Sequence, residues 1–493
     1  MNDQLKIRGV KYNLLMNIIL KLSSLIFPLI TLPYVTRTLG SVANGKIAFA
    51  TSIVNYFSMF AQLGIPTYGI RTCATCRDDK EQLTKTVHEL MIINSISVFV
   101  TYILFIIAII EVPRFRQDRI LLVVNAASIL LNMLGMEWLY QAVEQYRYIT
   151  IRNIGFKCIS IIAMFMFVHK PSDYVIYSIL IVISSGGSNI LNLWNARKII
   201  NSKSHYKRYN LKKHLHPIVI FFMLSVAISL YTSMDTVMLG FLSSDREVAY
   251  YSLATKVKMV LATTISALGP VLLPRITYCL NNGQQEKFVN YIRKSFHFVL
   301  LISIPLTIYF VSMANETVEL LGGSEYKDAT SCMRIITLAI IPLGIGNIVC
   351  SQILTPLGKE KLTMYSTIYG AIINLTMNAI FIPKLGALGA AVATVLAESV
   401  VTCVQMRYVW NEIKEIVFQL KYWKFIIAVF LAFIVMEVLK KIILVNNIFL
   451  LFVITAVLFF GIYFIILCFL KEELILQYGK PIMYKIKNNI KKS

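Results

Sequence analysis

The sequence predicts an all-α polytopic membrane protein of about fourteen transmembrane helices, with twelve as the alternative count. Three observations predict it. Of 493 residues, 57% are apolar or aromatic and only 15% charged, with a mean hydropathy of +0.68; a soluble domain carries about 25% charge and could not bury so much apolar surface. Apolar runs of about 20 residues, the length that crosses a bilayer core, recur from Leu14 almost to Lys471. No polar stretch between them is long enough to fold by itself.

Taken in order, the first span falls near 12–36, behind Lys6, Arg8 and Lys11; its length and its Pro28 and Pro33 exclude a cleavable signal. Spans two to six follow near 46–66, 88–111, 119–142, 149–168 and 174–196, and spans seven to twelve near 217–241, 249–271, 295–314, 329–354, 363–382 and 386–408. The last two lie near 424–440 and 447–470. An even number puts both termini on one side. With that side taken as inside, inner segments hold 32 of the 48 basic residues and outer segments 12, so both tails are expected in the cytoplasm. The densest inner segment, Arg197 to Lys213, falls where a connector between two six-helix lobes belongs, against anionic headgroups. The expected organisation is an N-terminal lobe over 1–200, a basic connector over 201–216, a C-terminal lobe over 217–410, and helices thirteen and fourteen with a basic tail over 411–493. Weak internal similarity supports the lobes: Leu63-Gly64-Ile65-Pro66 continuing to Arg71 matches Leu268-Gly269-Pro270 continuing to Arg275, and Leu39-Gly40 matches Leu239-Gly240.

Several chemistries are disfavoured. The net charge of +23 would suggest nucleic-acid binding in a soluble protein, but the basic residues sit in short connections and read as topology signals. Cys73-Ala-Thr-Cys76 has metal or redox spacing, yet no second cysteine pair or histidine pair completes a site. The six histidines are dispersed, so no zinc site and no cofactor are expected.

Polar residues at helical spacing inside spans mark faces turned away from lipid. The first span carries Asn13, Asn17, Lys21, Ser24, Pro28 and Thr31, and the second Thr51, Asn55, Ser58 and Gln62. The seventh carries Ser225, Ser229, Thr232 and Thr236 beside Asp235, and the eighth Ser252, Lys256, Thr263 and Ser266. Asn125, Ser128 and Asn132 repeat the pattern in the fourth span, as do Ser366, Gly370, Asn374 and Asn378 in the eleventh. For Ser, Thr and Gly alone, helix packing explains such stripes. Lysines shift the balance, because a mid-membrane charge costs at least about 2.5 kcal/mol and turns toward a partner or water. Lys21 is too deep for easy snorkelling. Lys256 has the depth to pair with Asp235, while Lys157 is close enough to the inner edge to snorkel. Intramembrane acids are few (Asp235, Glu398 and Glu437), and an interior richer in cations than anions suits an anionic substrate. The stretch from Gly135 to Arg152 interleaves Trp138, Tyr140, Tyr146 and Tyr148 with Glu137, Gln141, Glu144, Arg147 and Arg152. It forms either a salt-bridge knot or a recognition patch at the cytoplasmic mouth.

These residues resemble the Wzx-type O-antigen or polysaccharide repeat-unit flippases, of the superfamily that holds MATE drug extruders and the lipid II flippase. The resemblance rests on Pro33-Tyr-Val-Thr-Arg-Thr-Leu-Gly40 with Gly45, Leu63-Gly64 to Arg71, the Glu137-Trp138 to Arg152 stretch, Asp235-Thr-Val-Met-Leu-Gly240 followed by Ala249-Tyr-Tyr-Ser252, and Leu385-Gly386-Ala-Leu-Gly389-Ala-Ala391. It implies MATE-like lobes around a central cavity and alternating access for an undecaprenyl-pyrophosphate-linked oligosaccharide, moved from the inner to the outer leaflet of a bacterial inner membrane. It further implies membrane lipids, a polysaccharide polymerase and a chain-length regulator as partners. Beside it, the residues suggest that Lys21 and Lys256, with Arg71 and Arg275 near the inner mouth, replace the hydration of the diphosphate, while Asn17, Asn55 and Asn374 hydrogen-bond the sugar. Asp235 and Glu398 are the candidates for binding a coupling ion.

Two rival readings have specific requirements. A MATE-like exporter of cations needs acidic residues exposed in its cavity, and fewer than two secure candidates exist. A lipid-linked glycosyltransferase, ligase or polymerase needs a sizeable external loop, and the longest outer connection, near 315–328, is too short for a catalytic domain.

Overall fold

The structure, a computed structural model, describes residues 9–201, 208–267, 269–442, 447–472 and 475. The basic N-terminal tail before Gly9, residues 202–207 of the expected connector and most of the C-terminal tail lie outside the described residues. Among the described residues all regular structure is helical. The chain divides into two compact units, Met1–Ala249 and Tyr250–Ser493.

Unit 1 contains α1 (Val10–Gln62), α2 (Ile65–Thr75), α3 (Lys80–Glu111), α4 (Pro113–Gln117), α5 (Arg119–Gly135), α6 (Glu137–Ala142), α7 (Tyr146–Phe167), α8 (Tyr174–Val182), α9 (Asn189–Ile199) and α10 (Lys212–Leu242). A π-helical turn over Ile183–Gly187 joins α8 to α9. The next helix, α11 (Asp245–Ser266), starts in unit 1 and continues into unit 2, which holds α12 (Gly269–Asn281), α13 (Gln285–Ser312), α14 (Ala314–Gly322), α15 (Ala329–Thr337) and α16 (Ile340–Ile348). It ends with α17 (Glu360–Tyr408), α18 (Trp410–Gln419), α19 (Tyr422–Ile442) and α20 (Ile448–Phe469).

Two of these helices are doubled. In α1 the backbone leaves helical geometry at Gly40 (φ 77°, ψ 176°), and Asn44 Nδ2 donates to the Val35 carbonyl at 3.3 Å. Along a straight helix those residues would be roughly 13 Å apart, so the chain turns back there. In α17 the break is at Gly386 (φ 54°, ψ −130°), and a Cβ on Gly389 would lie 2.5 Å from the Phe381 carbonyl oxygen. Glycine serves at both bends because a positive φ strains any residue bearing a Cβ. Ten described helices are long and apolar enough to cross a membrane, or eleven with the bent pair Asp245–Ser266 and Val271–Asn281 taken as one. Dividing α1 and α17 and adding the lysine-rich α19 brings the described segments to about the fourteen expected. Their outer surfaces are hydrocarbon: Phe99 on α3 is 67% exposed and Phe469 on α20 80%, a surface suited to acyl chains and not to water.

Unit 1 reaches beyond the expected lobe. The seventh span, assigned from sequence to a C-terminal lobe starting at 217, packs as α10 against α1. A Cβ on Gly240 would come within 2.0 Å of the Phe49 ring, and Tyr56 donates to the Ser229 carbonyl at 3.0 Å. Close packing of this kind, which a connector's charge cannot reveal, sets the boundary at Ala249.

The grouping of segments by charge is visible within each unit. In unit 1, residues from three segments counted as inner form one core: Tyr68, Cys73 and Leu83 from the first, Ala142 and Val143 from around the second, and Ile199 and Ile200 from the third, with Ile218 of α10. Outer segments meet separately, where Asp118 takes Lys46 at 3.1 Å and Arg114 pairs with both Asp118 and Asp245. In unit 2, Lys359 pairs with Glu412 at 3.2 Å between two inner segments, and Lys440 pairs with Glu316 between two outer ones. The outer connection read as a loop near 315–328 is largely helical, as α14. The appended helices are fixed to α13: Tyr309 donates to the Phe452 carbonyl at 2.8 Å and Tyr463 to the Leu301 carbonyl at 3.0 Å.

The two internal matches differ in what the described residues show of them. Leu63 and Gly64 interrupt the chain between α1 and α2, and Arg71 and Arg275 both sit on short helices, α2 and α12. The other match fails in conformation, since Gly40 is a bend and Gly240 lies inside α10.

Candidate functional site

The polar stripe of the second span opens onto a cavity of about 300 Å³ inside unit 1. Asn55, Ser58, Met59 and Gln62 from α1 form one wall, Gly64, Pro66 and Thr67 at the start of α2 another, and Asn132 of α5 and Ser225 of α10 complete it. The Gly64 turn allows α10 to approach: a Cβ there would stand 2.5 Å from the Phe222 backbone nitrogen. Gln62 Nε2 donates to Ser58 Oγ at 3.0 Å. Among the described residues no charged side chain lines the cavity, so its chemistry is that of neutral donors and acceptors suited to hydroxyl-rich ligands.

The cations lie elsewhere. Lys21, Arg71 and Arg275 are exposed and Lys256 is half-buried, and among the described residues none of the four forms a hydrogen bond or ion pair. Asp235 belongs to unit 1 and Lys256 to unit 2. Asp235 is 5% exposed and has interactions of its own. Glu398 is half-buried and has interactions of its own. Asn17 is half-buried and Asn55 exposed.

Three expectations are corrected by packing. Lys157 does not snorkel: it is buried, with its ammonium donating to Ser23 Oγ at 3.0 Å and Ser24 Oγ at 2.8 Å. The stripe of the first span is therefore two surfaces. Asn13 and Thr31 are buried and Asn17 half-buried, while Lys21, Ser24 and Pro28 are exposed. In the eleventh span the stripe is helix packing throughout: Asn374 is 3% exposed and accepts from Asn378 Nδ2 at 3.0 Å, and Ser366 accepts from Gln405 at 3.1 Å. Asn374 is thus buried against Asn378 inside unit 2.

The Gly135 to Arg152 stretch packs into unit 1. Trp138, Leu139 and Tyr140 of α6 are buried in the inner core, and Tyr140 donates to the Asn192 carbonyl at 2.6 Å. Glu144 takes Arg77 at 2.6 Å and Asn13 Nδ2 at 3.0 Å, tying the segment to α1 and to the turn after α2. The Glu144 carboxylate in turn holds the Arg77 guanidinium above its ordinary pKa. Arg152, 7% exposed, donates to the Ser188 carbonyl at 2.9 Å. Glu137 and Gln141 are half-buried and Arg147 is exposed. Burial pushes the Cys76 thiol up, away from a reactive thiolate.

One cluster was not anticipated. Glu89 of α3, its side chain fully buried, accepts from Lys213 Nζ at 2.8 Å, from His214 Nε2 at 2.9 Å and from the Asn210 backbone at 2.8 Å. With Nε2 donating, Nδ1 of the neutral ring accepts from the Tyr68 hydroxyl at 2.8 Å. Four groups from α2, α3 and the start of α10 satisfy one another. The partners lie 124 and 125 residues from Glu89, and the one sequence signal was a carboxylate just inside an apolar run.

Known proteins match this architecture. The family model described as polysaccharide biosynthesis protein matches residues 10–279, and the MatE model residues 217–380. A relative from Escherichia coli (strain K12) named "Putative O-antigen transporter" is 22% identical over 79% of this chain and 94% of its own length. The solved structure of lipid II flippase MurJ superposes with a TM-score of 0.75 at 15% identity, covering 94% of this chain and 100% of that one. An inward-facing multidrug resistance transporter of the MATE family gives 0.60 at 14% identity, covering 83% and 99%. At such identities the likeness is one of fold, and it is the MATE-like fold that the resemblance implied.

Proposed function

Because the chain belongs to the polysaccharide biosynthesis protein family, we propose that it is a flippase for a lipid-linked glycan, a transporter and not an enzyme. Its substrate is an undecaprenyl-diphosphate-linked oligosaccharide, such as an O-antigen or capsule repeat unit, carried from the inner to the outer leaflet of a bacterial inner membrane by alternating access. Both termini then lie in the cytoplasm, where the excess of basic residues belongs. A polysaccharide polymerase and its chain-length regulator would receive the product.

The observation that carries this reading is the separation of two chemistries within a hydrocarbon-coated protein. A neutral amide and hydroxyl cavity suits a sugar, and Lys21 and Arg71 of unit 1, like Lys256 and Arg275 of unit 2, make no hydrogen bond or ion pair among the described residues and so are available to a diphosphate. Moving that anionic headgroup bare through hydrocarbon would be prohibitive. Asp235 and Glu398 are the carboxylates through which an ion gradient would act. The MATE-like alternative, export of cations, is disfavoured because no acid lines the cavity among the described residues.

Deleting the gene is expected to leave lipid-linked repeat units on the cytoplasmic leaflet, measured by their inaccessibility to an external impermeant glycosidase in spheroplasts. Polymerised but unligated polymer outside the membrane would point instead to a downstream enzyme.

A further inference from the structure

The cavity of unit 1 has properties that a diphosphate does not call for. Besides lacking any charged side chain, it is lined by polar groups with unused capacity. Among the described residues the Asn55 amide and the Thr67 hydroxyl make no hydrogen bond, and Gln62 uses only its NH2, leaving its carbonyl oxygen unused. Uncommitted amides have no place against acyl chains, where each unmet group is costly. They do match sugar hydroxyls, which both donate and accept.

Size and position narrow the ligand. About 300 Å³ is at the lower limit of small-molecule pockets, room for one sugar ring and not for an oligosaccharide. Thr67 and Arg71 are four residues apart on α2 and both are exposed, so they share a helix face roughly one turn apart. Arg71, which makes no hydrogen bond or ion pair among the described residues, thus lies one turn along α2 from Thr67 of the cavity wall.

Resting on the flippase reading above, we propose that this cavity is a subsite for the sugar bonded directly to the diphosphate, and that it selects an uncharged sugar over an acidic one. The ring sits among Asn55, Gln62 and Thr67 while Arg71 meets the diphosphate. A uronic acid would bring a carboxylate into a cavity with no cation to receive it, and that desolvation is uncompensated.

The test is binding to the full-length protein in lipid nanodiscs of three probes: undecaprenyl diphosphate alone, and the same carrier bearing N-acetylglucosamine or glucuronic acid. The N-acetylglucosaminyl carrier is expected to bind about tenfold tighter than the bare carrier, the increment of one or two net hydrogen bonds. The glucuronosyl carrier should bind no tighter than the bare one. Asn55→Ala combined with Gln62→Ala should erase the advantage of the neutral sugar and leave bare-carrier affinity unchanged, whereas Arg71→Ala should weaken all three probes. Should the double variant fail to fold, Thr67→Val at an exposed position provides the same comparison. Equal affinity for neutral and acidic sugars, or an advantage that survives these substitutions, overturns the subsite and leaves the flippase reading intact. Failure of every carrier to bind overturns both.

Discussion

Cells whose only copy of the protein carries Lys21→Ala or Lys256→Ala should display no surface polysaccharide although the protein still reaches the membrane. Neither ammonium holds the fold together, because neither has a hydrogen-bond or ion-pair partner among the described residues. A charge at that depth nonetheless costs at least about 2.5 kcal/mol, which an anionic ligand would offset. Losing one charge-assisted contact to a diphosphate costs about 1.5–3 kcal/mol, roughly tenfold to over a hundredfold in affinity. Lys21→Arg should retain part of the activity by keeping the charge. Normal polysaccharide in both alanine variants would reject the cationic contribution outright.

Glu89→Ala should have the largest effect on folding. It strands Lys213, His214 and the Asn210 amide around a void that was filled by a fully buried carboxylate. Removing one member of such a buried pair costs about 3–5 kcal/mol, enough to lose most monodisperse protein on size exclusion in detergent. Glu89→Gln keeps an acceptor oxygen and should be milder. An alanine variant that melts at the wild-type temperature would mean that the cluster contributes nothing to the junction of α2, α3 and α10.

Features read from a single helix were legible in the sequence. Hydropathy runs marked the spans, lysine and arginine spacing grouped the segments that meet in each unit, and 3.6-residue spacing found the Asn55, Ser58 and Gln62 wall of the cavity. Features that depend on a neighbour were not. Depth alone suggested that Lys157 snorkels, whereas Ser23 and Ser24, more than 130 residues away, hold it inside. Spacing alone put Asn374 beside Asn55 as a cavity residue, yet the former is buried against Asn378. Glu89 and His214 come together only when α3 meets the start of α10, and the unit boundary moved to Ala249 because α10 packs on α1.

The central claim is tested most directly by transport with purified components. Full-length protein is reconstituted into liposomes with an undecaprenyl-diphosphate-linked glycan confined to the inner leaflet, and the glycan's arrival outside is followed with an impermeant glycosidase. Exposure should require the protein and fall to the rate of empty liposomes with Lys21→Ala. Wild-type protein that is folded and inserted, yet moves the glycan no faster than protein-free membranes do, would contradict the account.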